Sequence, residues 1–377
     1  AQQPGMDAAA LQPAMKILEG EIKVLLSLAK QCDLLEITLA PVDGSVRIEE
    51  TIVPLEGSRL AALLTAPRVT TPNPKVASGL LGEAALGFDC TLANPEALTD
   101  FFCEEMDLVL TSMGIEAETV AKLSATMKGY AGIYNGSFSE NISFGGENFI
   151  NLTYAIDIKD EAEAMVKLRA MEQDMAFAME LYEAMGIPMT FTFVENVRDH
   201  KGVAIHQCTI QINMPLDQMA ATGAPEMTLT NMVCDMALCE GLLFYAMGDT
   251  KVEALIDRAR DPDFKAVPLK ARSVYPPSGI YYLDMDLARY LEGVSSAMPA
   301  DPSNPLPQIA AMIKGAEPVT GAGFREDGMV KWSLNLPGSL LAKIGQAAMT
   351  IQMQQMQQVP QQPPQTFDPG MAPGAMP

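Results

Sequence analysis

Two histidines, His200 and His206, are the only imidazoles in the chain, and imidazole is the side chain best suited to acid–base work and metal ligation near neutral pH. Both fall in or beside one expected hairpin around His200-Lys201-Gly202. His206, placed in a strand, shares a face with Ala204 and Cys208, whereas His200 belongs to the turn; a metal or base centre there needs carboxylates from elsewhere. Asp284 and Asp286 are the second candidate, because at a spacing of two at a strand's end they would share a face. Paired carboxylates suit Mg²⁺ or Ca²⁺, or divide acid and base roles. Asp286 also immediately precedes Leu287-Ala288-Arg289-Tyr290-Leu291, where a carboxylate serves as a helix N-cap, and capping is its expected role.

Other reactive groups carry less. Six cysteines, Cys32, Cys90, Cys103, Cys208, Cys234 and Cys239, show no CxxC spacing. In an oxidising compartment three pairs could close, with Cys234–Cys239 and Cys90–Cys103 near enough in sequence; the alternative is single buried thiols. No Gly-x-Ser-x-Gly elbow is present, and neither Gly132 to Gly136 nor Gly145-Gly146 has the spacing and lysine of a phosphate-cradling loop. Met171, Met175 and Met179 form one helical stripe and Met349, Met353 and Met356 another; both are expected to be core packing, with Cu(I) binding the lesser alternative, chiefly at the second. Asn135-Gly136-Ser137, Asn141-Ile142-Ser143 and Asn151-Leu152-Thr153 match the glycosylation acceptor pattern, which polar strands also explain. No residue earns a catalytic or cofactor-binding assignment from motif evidence.

Charge narrows the partners. With 47 acidic against 25 basic residues the formal charge is −22, and no basic cluster interrupts it, so nucleic acid and anionic lipid are poor partners. No apolar run is long enough to span a bilayer. The opening Ala1-Gln2-Gln3-Pro4-Gly5 reads as a mature start after signal-peptide removal. The expected location is therefore periplasmic or secreted.

The elements that would position these groups are announced by a repeat. Asp43-Gly44-Ser45-Val46-Arg47-Ile48 returns as Asp327-Gly328-Met329-Val330-Lys331-Trp332, and each copy runs on to a Gly-Ser pair and a helix, Gly57-Ser58 and Gly338-Ser339. Asp-Gly between apolar runs predicts a tight hairpin. Asn94-Pro95-Glu96 marks a helix start, and Asp160 opens a helix of some 25 residues ending at Gly186-Ile187-Pro188. Strands in hairpins with interleaved helices predict an α+β fold, antiparallel sheets with helices on one face, built from duplicated strand-helix-hairpin-helix units. The expected division is a flexible segment 1–13, a first half 14–222, a second half 226–357 with Gly223-Ala224-Pro225 as the break, and a flexible Pro/Gln/Met-rich tail 358–377.

The hairpin-to-helix passages Asp43 to Leu64 and Asp327 to Ile344, the strand-helix Ile280 to Leu291, and Gly241-Leu242-Leu243-Phe244-Tyr245-Ala246-Met247-Gly248-Asp249 resemble families of exported bacterial α+β repeat proteins of unknown function. The resemblance implies an exported repeat protein and supplies no catalytic residues. The leading expectation is a non-enzymatic secreted or periplasmic binding or structural protein, its partner a protein, the envelope or an apolar ligand. The alternatives are a hydrolase or metal-dependent enzyme using Asp284, Asp286 or His206, and a carrier of an apolar ligand.

Overall fold

Four two-residue turns organise the described residues. At Asp43-Gly44, Lys201-Gly202, Glu240-Gly241 and Asp327-Gly328 both residues have positive φ. That geometry matches the twist of antiparallel strands, and glycine at the second position meets no Cβ clash. The turns join β1 (Cys32–Val42) to β2 (Ser45–Pro54), β6 (Met189–His200) to β7 (Val203–Ile212), β8 (Asn231–Cys239) to β9 (Leu242–Met247), and β11 (Val319–Glu326) to β12 (Met329–Leu336). With β3 (Leu86–Thr91), β4 (Tyr134–Phe144), β5 (Ile150–Ile158) and β10 (Tyr281–Met285) they form one twelve-stranded sheet in the order β1-β2-β12-β11-β10-β3-β4-β5-β9-β8-β7-β6. Every pairing is antiparallel. The computed structural model describes residues 19–20, 22–67, 71, 73–112, 114–144, 150–184, 188–212, 231–297 and 304–358.

The helices are α1 (residues 22–29), α2 (Arg59–Thr65), α3 (Ser78–Leu81), α4 (Pro95–Ser112), α5 (Ala117–Ala131), α6 (Glu161–Ala184), α7 (Val252–Arg260), α8 (Ala271–Val274), α9 (Leu287–Ala297), α10 (Leu306–Ile313) and α11 (Gly338–Gln358). The protein is thus mixed α+β with an antiparallel sheet. Among the described residues no helix is long and apolar enough to cross a membrane.

Strands from 14–222 and from 226–357 are neighbours at four places: β2 with β12, β10 with β3, β5 with β9, and β7 with β8. The runs β3 to α6 and β10 to α11 have the same element order: strand, two helices, hairpin, helix. They adjoin through β3 and β10 at the middle of the sheet. Outward from there, hairpin β1–β2 flanks β12 on one side and hairpin β8–β9 flanks β5 on the other. The two Asp-Gly hairpins therefore stand side by side, β2 pairing with β12, and do not occupy matching places. The turn matching Asp43-Gly44 in this arrangement is Glu240-Gly241, whose strand β8 the sequence reading leaves out.

Helices do not keep to one face. Leu242, Phe244 and Ala246 of β9 pack with Val252, Leu255 and Ile256 of α7 and with Leu80 and Leu81 of α3. Leu243, between them, packs with Ala164 and Leu168 of α6 and with Ile133. Successive strand residues point to opposite faces, and Leu242, Leu243 and Phe244 are all fully buried. Both faces are covered here because the apolar run of β9 does not alternate, the mark of a strand sandwiched between layers. Two further clusters lie at the other end. Leu269, Ala271 and Tyr275 pack on Tyr282 and Ala322, while α9, α10 and α11 meet over Val319 and Leu334. Segments 1–13 and 359–377, Gly145-Gly146 and the break at 223–225 lie outside the described residues.

Candidate functional site

The two carboxylates proposed as a pair serve different helices. Asp284 lies in β10 and accepts hydrogen bonds from the backbone N–H groups of Lys270 and, at 2.9 Å, Ala271, at the start of α8. Burial pushes its carboxyl above the ordinary value, against those two donors. Asp286 lies just beyond the strand and accepts from Arg289 N–H at 3.1 Å, capping the first turn of α9. Since α8 packs on Tyr282 and α9 packs with Met285, the two helices cover opposite faces of β10.

His200 closes β6 with Nε2 2.8 Å from Asp257 Oδ1, which Lys201 Nζ also reaches at 2.8 Å. Those two donors hold the Asp257 carboxyl below its ordinary value, the lysine contributing more. His206 lies in β7 in a cleft of about 370 Å³ with Met165, Arg169, Glu195, Asn196 and Leu238. Its ring stacks on Phe193, and Nδ1 accepts the Asn196 N–H at 3.4 Å. Burial lowers its pKa, so the ring is neutral near pH 7, and an acceptor at Nδ1 puts the remaining proton on Nε2. Arg169 forks onto Glu195 at 2.8 and 3.1 Å, tying α6 to β6 across this cleft. Asp284 and Asp286 are not among the residues lining it.

Sequence reasoning missed the most buried carboxylate cluster. Asp89 of β3 is 1% exposed; its Oδ1 accepts from Ser78 N–H at 2.6 Å and Ser139 Oγ at 2.8 Å, and its Oδ2 from Arg272 Nε at 3.0 Å. Arg272 lies over the Tyr282 ring, 4.4 Å from its centroid. Asp89 thus receives the first N–H of α3 as Asp284 receives that of α8, one carboxylate for each four-residue helix. The available signal was a charge inside a short apolar strand, Gly87-Phe88-Asp89-Cys90. With every carboxylate oxygen engaged by the chain itself, this is an architectural joint.

All six cysteines are free thiols. Neither sequence-adjacent pair forms: Cys234 faces Cys208 across the β7/β8 ladder, while Cys239 pairs with Leu242. The Cys234 thiol donates to Asp235 O at 3.6 Å; the opposed Cys208 thiol, together with burial, pushes Cys234 up, while Cys234 lowers Cys208. Burial raises Cys90 to about 12. Met171 and Met179 pack inside, while Met349 and Met353 are exposed. The acceptor asparagines Asn141 and Asn151 are buried, and Asn135 donates to Asp157.

One surface with exposed apolar area lies at the β1 end. Register places Leu35, Ile52 and Val330 in one cross-strand row, Ile37, Glu50 and Trp332 in the next, and Leu39, Ile48 and Leu334 in the third. All lie on one face and Glu50 alone is charged; Val330 is buried and Leu334 lies under α9, α10 and α11, so the bare part of the face is the β1 row and Trp332. Leu35, Ile37 and Leu39 are 57%, 63% and 70% exposed, and Trp332 is 44% exposed. Among the described residues β1 is also a sheet edge. The two-residue turn makes Val42 and Ser45 a hydrogen-bonded pair, and such pairs alternate along the ladder. Leu35, Ile37 and Leu39 therefore direct their backbone N–H and C=O groups away from β2. No family model, no curated protein and no solved structure matches this chain.

Proposed function

We propose that this is a non-enzymatic binding protein of the periplasm or extracellular space, that it takes an apolar partner on the face formed by β1, β2 and β12, and that its like-ordered runs are duplicated units. The observation that carries the binding reading is the row Leu35, Ile37, Leu39, three neighbouring large apolar side chains more than half exposed, on the same face as Trp332. Single exposed apolar residues are ordinary, but a contiguous patch is an interaction surface or a liability. The bonds made by Asp89, Asp284, Asp286 and His206 support the same reading, since each group serves a helix start or a strand contact. A net charge of −22 and Glu50 within the patch favour neutral or cationic apolar partners over anionic ones.

Binding of the neutral dye Nile red tests the proposal. Replacing Leu35, Ile37 and Leu39 together by serine should remove more than about half of the dye signal, in line with the share of the patch they supply, without changing the circular dichroism. An unchanged signal would place the apolar site elsewhere and sink the reading.

A further inference from the structure

We propose that a second copy of this chain adds to the open edge of β1, pairing antiparallel about a twofold axis at Ile37 and joining two sheets into one. The pairing deepens the binding reading above and rests on it in one respect, that the β1 flank is the working surface.

Three observations select this occupant. First, the outward backbone groups belong to Leu35, Ile37 and Leu39, and an axis at Ile37 sets Ile37 against Ile37 and Leu35 against Leu39 of the other copy. Outward groups then meet outward groups in hydrogen-bonded pairs. Shifting the axis to Leu39 would set Pro41, which has no N–H, against Ile37 and lose a central bond. Second, charge fits this register. Glu36 comes opposite Thr38 and Asp33 opposite Pro41, so no acid of β1 stands directly opposite its own copy and the two Glu36 side chains are only diagonal neighbours; an axis at Glu36 would oppose two carboxylates directly. Third, the far edge is closed to the same reaction. β6 carries a bulge between Val194 and Arg198 with Asn196 at φ 53°, and the Arg169–Glu195 fork ties that edge to α6. Bulges and charges are how edges refuse a partner. With one open and one refused edge, pairing stops at two copies, a closed twofold dimer and not a fibre. Opposed residues of an antiparallel pair share a face, so six apolar side chains would form one continuous strip across the dimer.

Sedimentation equilibrium of the full chain is the test, run at about 20 and about 200 mM NaCl and up to about 100 µM protein. A monomer–dimer equilibrium is expected. It should tighten at the higher salt, because two bodies of charge −22 repel and salt screens them. Ile37→Pro deletes an N–H that β2 does not use and should weaken association by about tenfold or more with unchanged circular dichroism. Should that variant misfold, Leu35→Lys with Leu39→Lys sets lysines against lysines and should leave only monomer. Ile37→Ser keeps the N–H, and should keep the dimer while lowering Nile red binding. Wild-type protein that stays monomeric at both salts, or folded Ile37→Pro that dimerises as wild type does, overturns the pairing. If the dye still follows the serine variants in that case, the apolar face stands as a binding site and only the second copy is excluded.

Discussion

The two ends of the sheet handle the same problem in opposite ways. At the β6 end, α6 lays Leu168, Met165 and Met171 over Phe191 and Phe193 of β6, and the edge is bent by a bulge and bridged by Arg169 and Glu195. At the β1 end the corresponding rows hold Leu35, Ile37 and Leu39 in water, on an edge regular from Leu34 to the turn. Apolar area on the closed end has already been removed from water and contributes to stability. On the open end it is still available for a partner.

The comparison breaks most visibly under truncation. Phe244→Ala, at a fully buried position of β9 in the same half of the sheet as the closed end, should cost about 3–5 kcal/mol in urea unfolding, the range for emptying a buried aromatic site. Ile37→Ala at the open edge should cost under about 0.5 kcal/mol, as exposed substitutions do. Equal costs would mean that β1 is covered in solution. At the middle of the sheet, Asp89→Ala strips Ser78, Ser139 and Arg272 of an acceptor and should cost about 2–3 kcal/mol. Asp284→Ala removes two backbone contacts only and should cost about 1–2 kcal/mol. A reversed order would show that the two carboxylates do not play parallel parts.

The sequence reading reached the local half of this structure. Asp-Gly marked two hairpins because their turn needs positive φ at both residues; Lys201-Gly202 was seen as a turn, but Glu240-Gly241, with the same angles, was not. Its partner β8 is a mixed run, Asn231-Met232-Val233-Cys234-Asp235, without clean alternation. The long-range half was not legible. That β2 should pair with β12, nearly the whole chain away, is written in no local pattern: the two like hairpins are neighbours in the sheet, which their repeated sequence does not announce. The one-face expectation failed at Leu242-Leu243-Phe244, where the unbroken apolar run was itself the sign of two covered faces. For the candidate site, Asp286 was read correctly as a cap from the helix that follows it. The exposure of Leu35, Ile37 and Leu39 was hidden, because alternating apolar residues look the same whether their face is covered or bare.

A smaller effect separates the ends by pH. Burial depresses the folded pKa of His206 from 6.5, so the unfolded chain takes up the proton more readily. Its contribution is complete above pH about 6.5 and is lost as pH falls through the lower folded value. Urea midpoints should therefore decline between about pH 7 and 5, and His206→Gln should flatten that part of the decline. A slope identical in the variant would remove His206 from the account. The smallest effect is covalent: mild oxidation should link Cys208 to Cys234 with loss of two thiol hydrogens to a disulfide donor, since the two thiols oppose each other in the ladder. Peptide mapping that finds Cys234 joined to Cys239 instead would contradict that register.

Amide hydrogen exchange of β1, measured at low and at high protein concentration, tests the difference between the two ends most directly. The account predicts fast exchange of the Leu35, Ile37 and Leu39 amides in dilute solution and their joint protection on concentrating. Thr38 and Glu36, which pair inward with Glu49 and Thr51, should be protected throughout, and β6 should not change. Protection of the three outward amides that is already present in dilute protein, or that never appears at any concentration, would contradict it.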